Sequence, residues 1–210
     1  MVKIKVCGIR NLREALMAVD AGADAVGFVL AKSRRRVTPR EVEEICQGIP
    51  PFVSKVGVFV DENPENVKEI ADRCGLDILQ FHGQEPPSQL QGYRQKVIKA
   101  FLLKDEMSLQ EIKSYGWVAD AYLLDTYVPG MPGGTGKTFN WSLIEKINIR
   151  KPVILAGGLN EENIVAALKQ VKPYGVDVSS GVENDSHEGK DSVKIKNFIQ
   201  KVRSWEYVSG

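Results

Sequence analysis

Cys7 and Asp125 are the residues of this 210-residue sequence best suited to exchange protons with a substrate. A thiolate at a strand end can act as base or nucleophile, and a carboxyl group at another can act as acid. Each also has a plain structural role, since free cysteines pack as small apolar residues and aspartates cap loop amides. Arg35 stands in the basic run Lys32-Ser33-Arg34-Arg35-Arg36. It could grip a carboxylate through its two-pronged guanidinium, or belong to a solvated loop. Gly157-Gly158 and Ser180-Gly181 could offer amides and close backbone approach to a phosphate. Either pair could equally make only a tight turn. Gly133-Gly134-Thr135-Gly136-Lys137-Thr138 invites a nucleotide-binding reading, but that motif needs glycine where Met131 stands. The segment, with Gly134 and Gly136, reads instead as a glycine-rich loop able to close over a site.

These residues need a frame, and the sequence supplies a periodic one. Short apolar, β-branched runs recur at 3–9, 25–30, 55–60, 78–83, 97–102, 121–126, 152–158 and 175–182. Most lack strict alternation, as expected of parallel strands covered on both faces. Helix-period segments lie between them: Leu12, Ala15, Leu16, Val19; Val42, Ile45, Cys46, Ile49; Val67, Ile70, Ala71, Cys74; and Ile195, Phe198, Ile199, Val202. Thr38-Pro39 with Glu41 predicts a capping box, and Asn63-Pro64 a second helix start. Eight near-equal βα units, with no glycine-rich turn after the first strand, predict an α/β fold. The expected form is one (β/α)8 barrel over residues 1–210.

Such barrels build their sites at the C-terminal ends of the strands. There the sequence places Cys7, the basic run, Gln80 and His82, Asp125, Gly157-Gly158, and Asp177 with Ser180-Gly181. Glycine pairs on the last two strands, the first followed by a helix expected near Asn160, favour a phosphate there. Gln80, His82 and Asp177 are expected to line the pocket, and two histidines with no cysteine pair make a metal site unexpected. A net charge of +1 argues against nucleic acid and anionic membranes as partners. No run is apolar and long enough to span a bilayer, and the charged N-terminus is not a secretory signal. Three scattered cysteines then point to the cytoplasm, and the triplets starting at Asn140 and Asn184 are chance glycosylation matches.

Together, KVCGI (5–9), DAVGFVL (24–30), QFHG (80–83), LLDT (123–126), GGTGKTFNW (133–141), LAGGLNEENI (155–164) and DVSSGVE (177–183) resemble the phosphoribosylanthranilate isomerase family. The resemblance implies a cofactor-free barrel that rearranges N-(5-phosphoribosyl)anthranilate to 1-(2-carboxyphenylamino)-1-deoxyribulose 5-phosphate in tryptophan biosynthesis. It implies Asp125 as general acid, Cys7 as general base, Arg35 on the anthranilate carboxylate, and the amides near Gly158, Ser180 and Gly181 on the phosphate. The partner implied is this phosphorylated small molecule, with the protein a monomer or homodimer. The loop Asn184–Asp191 reads Gly189-Lys190-Asp191 where the family's usual pattern is G-x-K-D, one residue longer. The related histidine-pathway isomerase uses two aspartates, which Cys7 opposes. A non-catalytic phosphate-binding barrel would leave Cys7, Asp125 and Arg35 without a common purpose.

Overall fold

In the computed structural model, residues 1–103, 112–125 and 150–209 are described; the loop 127–138, with Gly134 and Gly136, lies outside them. Eight parallel strands close into a ring in chain order. They are β1 (Lys3–Cys7), β2 (Ala25–Val29), β3 (Ser54–Phe59), β4 (Ile78–Phe81), β5 (Lys96–Leu102), β6 (Ala121–Asp125), β7 (Val153–Ala156) and β8 (Gly175–Val178). Closure is by β1 on β8, where Lys5 pairs with Asp177 in register. Side chains alternate between the ring interior and the helix layer, which is why these strands are apolar on both faces.

The interior has two unlike halves. Ile98, Ala100, Ala121, Leu123, Ile154 and Ala156, with Ile78 against them, form a dry cluster on the β5–β7 side. Lys5 and Gln80 are buried on the other side, with Cys7 and Asp177 at the mouth. Outward residues such as Phe28, Phe81, Leu124, Leu155 and Val176 join the larger core beneath the helices.

Helix α1 covers Leu12–Asp20, α2 Pro39–Gln47, α3 Pro64–Cys74, α4 Ile164–Val171 and α5 Ser192–Ser209. The Thr38/Glu41 capping box opens α2, and the Asn63 side chain accepts the Glu65 amide at the start of α3. The buried faces of α2, α3 and α5 contain the predicted Val42, Ile45, Cys46; Val67, Ala71, Cys74; and Ile195, Phe198, Ile199, Val202. Two expectations are corrected. Helix α1 buries Glu14, Ala15 and Ala18 and leaves Leu12 exposed. The helix turns this way because Glu14 accepts the amides of Arg10 and Lys190, tying two loops together. The helix expected near Asn160 begins at Ile164; Asn160 instead caps a preceding turn by accepting the Glu162 and Asn163 amides. Among the described residues no helix is long and apolar enough to cross a membrane.

Candidate active site

A cavity of about 650 Å³ opens at the C-terminal mouth of the ring. Cys7, Arg35, Gln80, His82, Asp125, Gly157, Gly158, Asp177 and Ser180 all line it, drawn from six segments of the chain. Gly181 is not among the lining residues, and Gly134 and Gly136 lie outside the described ones. Cys7 closes β1 and Asp125 closes β6, three strands apart around the ring, so they flank one opening.

Cys7 rests on a buried charge that the sequence reading overlooked. Lys5 lies two residues earlier on β1 and therefore faces the same interior. Its Nζ stands 3.0 Å from Asp177 Oδ2 and also reaches the Cys7 thiol. Gly27, opposite Cys7 in register, leaves the space for this. A Cβ there would stand 2.8 Å from Cys7 Sγ and 3.0 Å from Lys5 Nζ. Burial would lower the Lys5 ammonium, but Asp177 and Cys7 hold it above the usual lysine range. Burial pushes the Cys7 thiol up, with Lys5 and Lys190 pulling against it. Burial likewise raises the Asp177 carboxyl, opposed by Lys5 and His82. Among the described residues, Asp177 Oδ1 and Gln80 Oε1 are buried acceptors without a hydrogen-bond partner.

Burial and the nearby Lys5 ammonium both lower His82 and so favour its neutral form. Its Nδ1 stands 3.0 Å from Gln80 Nε2, so the amide donates and the ring proton falls on Nε2. Nε2 stands 3.7 Å from Asp125 Oδ2, facing the acid without a direct hydrogen bond.

Arg35 lies over Gly8, whose φ is +79° and where a Cβ would stand 2.5 Å from Arg35 Cδ. Only glycine satisfies both demands. The guanidinium turns to Glu183 in the loop after β8, through Nε and through Nη2 at 3.1 Å. Arg34 reaches the same carboxylate at 2.9 Å, while Arg36 is exposed and makes a backbone bridge to Val29. The carboxylate-binding candidate is thus tied to the loop that bears Ser180. Val29, Val58 and Val60 supply an apolar wall beside it.

Gly157 and Gly158 have φ values of +91° and +63°, so the chain turns there as L-residues rarely do. Nothing would meet a Cβ at Gly158, so its conformation alone explains that glycine. Gly181 has a different reason, because a Cβ there would run into the Leu159 carbonyl. It lets the loop after β7 pack on the 3-10 turn Ser180–Val182. Ser179, also unforeseen, donates from Oγ to the Cys7 carbonyl at 3.0 Å and accepts Lys190 Nζ on its own carbonyl at 3.0 Å.

Comparisons with known proteins place nearly the whole chain among relatives of one family. The family model described as N-(5'phosphoribosyl)anthranilate (PRA) isomerase matches residues 4–201. The N-(5'-phosphoribosyl)anthranilate isomerase of Desulforudis audaxviator is 51% identical over 203 residues, 97% of this chain and 98% of the relative. A solved phosphoribosyl anthranilate isomerase from Thermotoga maritima superposes with a TM-score of 0.88 at 42% identity, covering 97% of this chain and 100% of that one. Another solved isomerase, in complex with reduced 1-(o-carboxyphenylamino)-1-deoxyribulose 5-phosphate, is 39% identical with a TM-score of 0.84 over 97% and 100%. The chain belongs to the N-(5'-phosphoribosyl)anthranilate isomerase family.

Proposed function

We propose that this chain catalyses the isomerase reaction of its family, with Asp125 as general acid and Cys7 as general base. Asp125 gives its proton to the furanose ring oxygen of N-(5-phosphoribosyl)anthranilate as the C1–O bond breaks. The nitrogen lone pair forms the C1=N bond of a protonated imine. Cys7 takes the proton from C2, and the C–H electrons flow into the imine to give an enolamine. The enol hydroxyl then loses a proton and C1 gains one, which leaves the C2 ketone, and proton exchange with solvent returns Cys7 to thiolate and Asp125 to acid. The iminium nitrogen is the electron sink, and the steps require only proton donors and acceptors.

The observation that carries this reading is a thiol and a carboxyl group flanking one cavity that is also lined by arginine and by the turns after β7 and β8. Gly157, Gly158 and Ser180 suit the phosphate, and Gly181 serves it by letting those two turns pack together. Arg35 above the Val29, Val58 and Val60 wall suits an aromatic carboxylate. Gln80, His82 and Asp177 would shape the floor, with unpaired acceptors on Gln80 and Asp177 available to ribose hydroxyls. Lys5 would stabilise the thiolate that a base requires. On this reading residues 1–210 act as one barrel in the cytoplasm, alone or as a homodimer; three free, buried cysteines suit a reducing compartment.

The test is an assay of purified protein following loss of phosphoribosylanthranilate fluorescence. Cys7→Ser and Asp125→Asn should each lower kcat by about 100-fold or more with the thermal melt preserved. Near-wild-type turnover in either variant removes that residue from the mechanism.

A further inference from the structure

Only 4% of the Glu183 side chain is exposed, yet it takes no part in the proposed proton transfers. Four cationic or protonatable side chains from two loops converge on its two oxygens. Arg35 and Arg34 come from the loop after β2. Lys190 Nζ, at 3.4 Å, and His187 Nδ1, at 3.3 Å, come from the loop after β8. Burial alone would raise this carboxyl, but Arg35, Lys190 and Arg34 hold it at about 2. It stays charged at working pH and cannot release Arg35 by taking a proton.

The pairing leaves the guanidinium divided. Glu183 occupies the edge made by Nε and Nη2. A planar guanidinium has a second two-pronged edge, formed by its terminal nitrogens, which suits another carboxylate. The stem packs over Gly8, where a Cβ would stand 2.5 Å from Arg35 Cδ. Glu183 is itself held. Its residue forms a bridge with Lys190, and Lys190 is bonded to the Ser179 carbonyl beside Cys7.

We infer that Glu183 is a positioning residue that clamps one edge of Arg35 and so presents the other edge to the carboxylate of the substrate. The inference rests on the proposed role of Arg35. It makes recognition of an aromatic carboxylate a property of two loops, not of one arginine. Loss of the clamp lets Arg35 swing into its other rotamers, so the cost falls on carboxylate binding and not on the chemical step.

The experiment compares two probes in the intact enzyme. One is reduced 1-(o-carboxyphenylamino)-1-deoxyribulose 5-phosphate; the other is the same compound built from aniline, lacking the carboxylate. Glu183→Gln should weaken the carboxylated probe by about tenfold or more, the worth of one charge-assisted bond. The aniline probe should bind as in wild type, KM for substrate should rise with kcat held, and in an Arg35→Ala background Glu183→Gln should add nothing. Equal weakening of both probes marks a merely structural residue and overturns the inference, as does unchanged binding. Tighter binding of the carboxylated probe also overturns it, because Glu183 would then be a competitor for Arg35. Should Glu183→Gln not fold, Glu183→Asp carries the same test, since it keeps a charge for Lys190 but withdraws it from Arg35 by one methylene. Arg35→Ala separates the two levels. If it fails to distinguish the probes, the role of Arg35 itself is wrong; if it distinguishes them and Glu183→Gln does not, only the clamp is wrong.

Discussion

Lys99 and Glu85 meet at 2.9 Å on the outer face of the ring, with 2% and 1% of their side chains exposed. Lys5 and Asp177 meet at 3.0 Å inside the ring, with 6% and 9% exposed. The bond lengths match, but the surroundings do not. Glu85 also accepts the amides of Asp61 and Gly83, and Lys99 also donates to the Gly83 carbonyl. The Lys99 ammonium lies 5.9 Å and 5.6 Å from the ring centroids of Phe101 and Tyr115. That pair is closed: it pins the turn after β4, the turn that begins with His82. The inner pair is open. Asp177 keeps an oxygen without a partner, Asp177 lines the cavity, and Lys5 is shared with the Cys7 thiol. A closed pair stabilises the fold, whereas an open one keeps interaction capacity for a ligand or a reacting atom.

The largest effect should come from breaking the closed pair. Lys99→Met leaves Glu85 charged and buried, and denaturant unfolding should show a loss of about 3–5 kcal/mol. Variants that still fold should keep most of their kcat. The inner pair should respond the other way. Lys5→Met should lower kcat by about 100-fold, on the scale of one general base. It should cost less stability than Lys99→Met, because Asp177 already lies against the cavity and burial already favours its neutral form. Equal stability losses in the two variants would erase the distinction between the pairs.

Two smaller effects depend on pH. Burial raises the Cys7 thiol while Lys5 and Lys190 pull against it, so its share of thiolate grows with pH and depends on Lys5. Alkylation of Cys7 by iodoacetamide, followed by peptide mass spectrometry, should still be accelerating at pH 9 and shift further upward in Lys5→Met. A plateau near neutrality would mean that Lys5 holds a preformed thiolate. The smallest effect is at acid pH. Glu183 falls from 4.5 to about 2 on folding, so its stabilising contribution is complete above 4.5 and fades as pH drops toward 2. Chemical denaturation across that window should show a shallower acid slope in Glu183→Gln than in wild type.

Much of the fold could be read along the chain. The eight strand runs, the Thr38/Glu41 box and the Asn63 start depend on neighbours a few residues apart, which sequence order displays directly. The buried face of α1 was not legible, because Glu14 accepts the amide of Lys190, 176 residues away. Lys5 entered the sequence reading only as part of the first strand run. Its position two residues before Cys7 was the available signal, since strand alternation turns both inward. Glu183 carried no comparable signal, because Arg34 and Arg35 reach it from another loop about 150 residues away in sequence.

The sequence by itself determined the periodic βα pattern, the strand ends at which Cys7, Asp125, Gly157 and Asp177 stand, and the family they resemble. These are short-range properties, set by side-chain spacing and backbone freedom. Only the tertiary structure decided that Lys5 lies beneath Cys7, that Gly181 answers to the Leu159 carbonyl, and that Arg35 is clamped by Glu183. The physical reason is ring closure. Seating β1 on β8 joins residues more than 170 positions apart in a buried space, where an ion pair or a missing Cβ acquires its meaning from neighbours that sequence distance conceals.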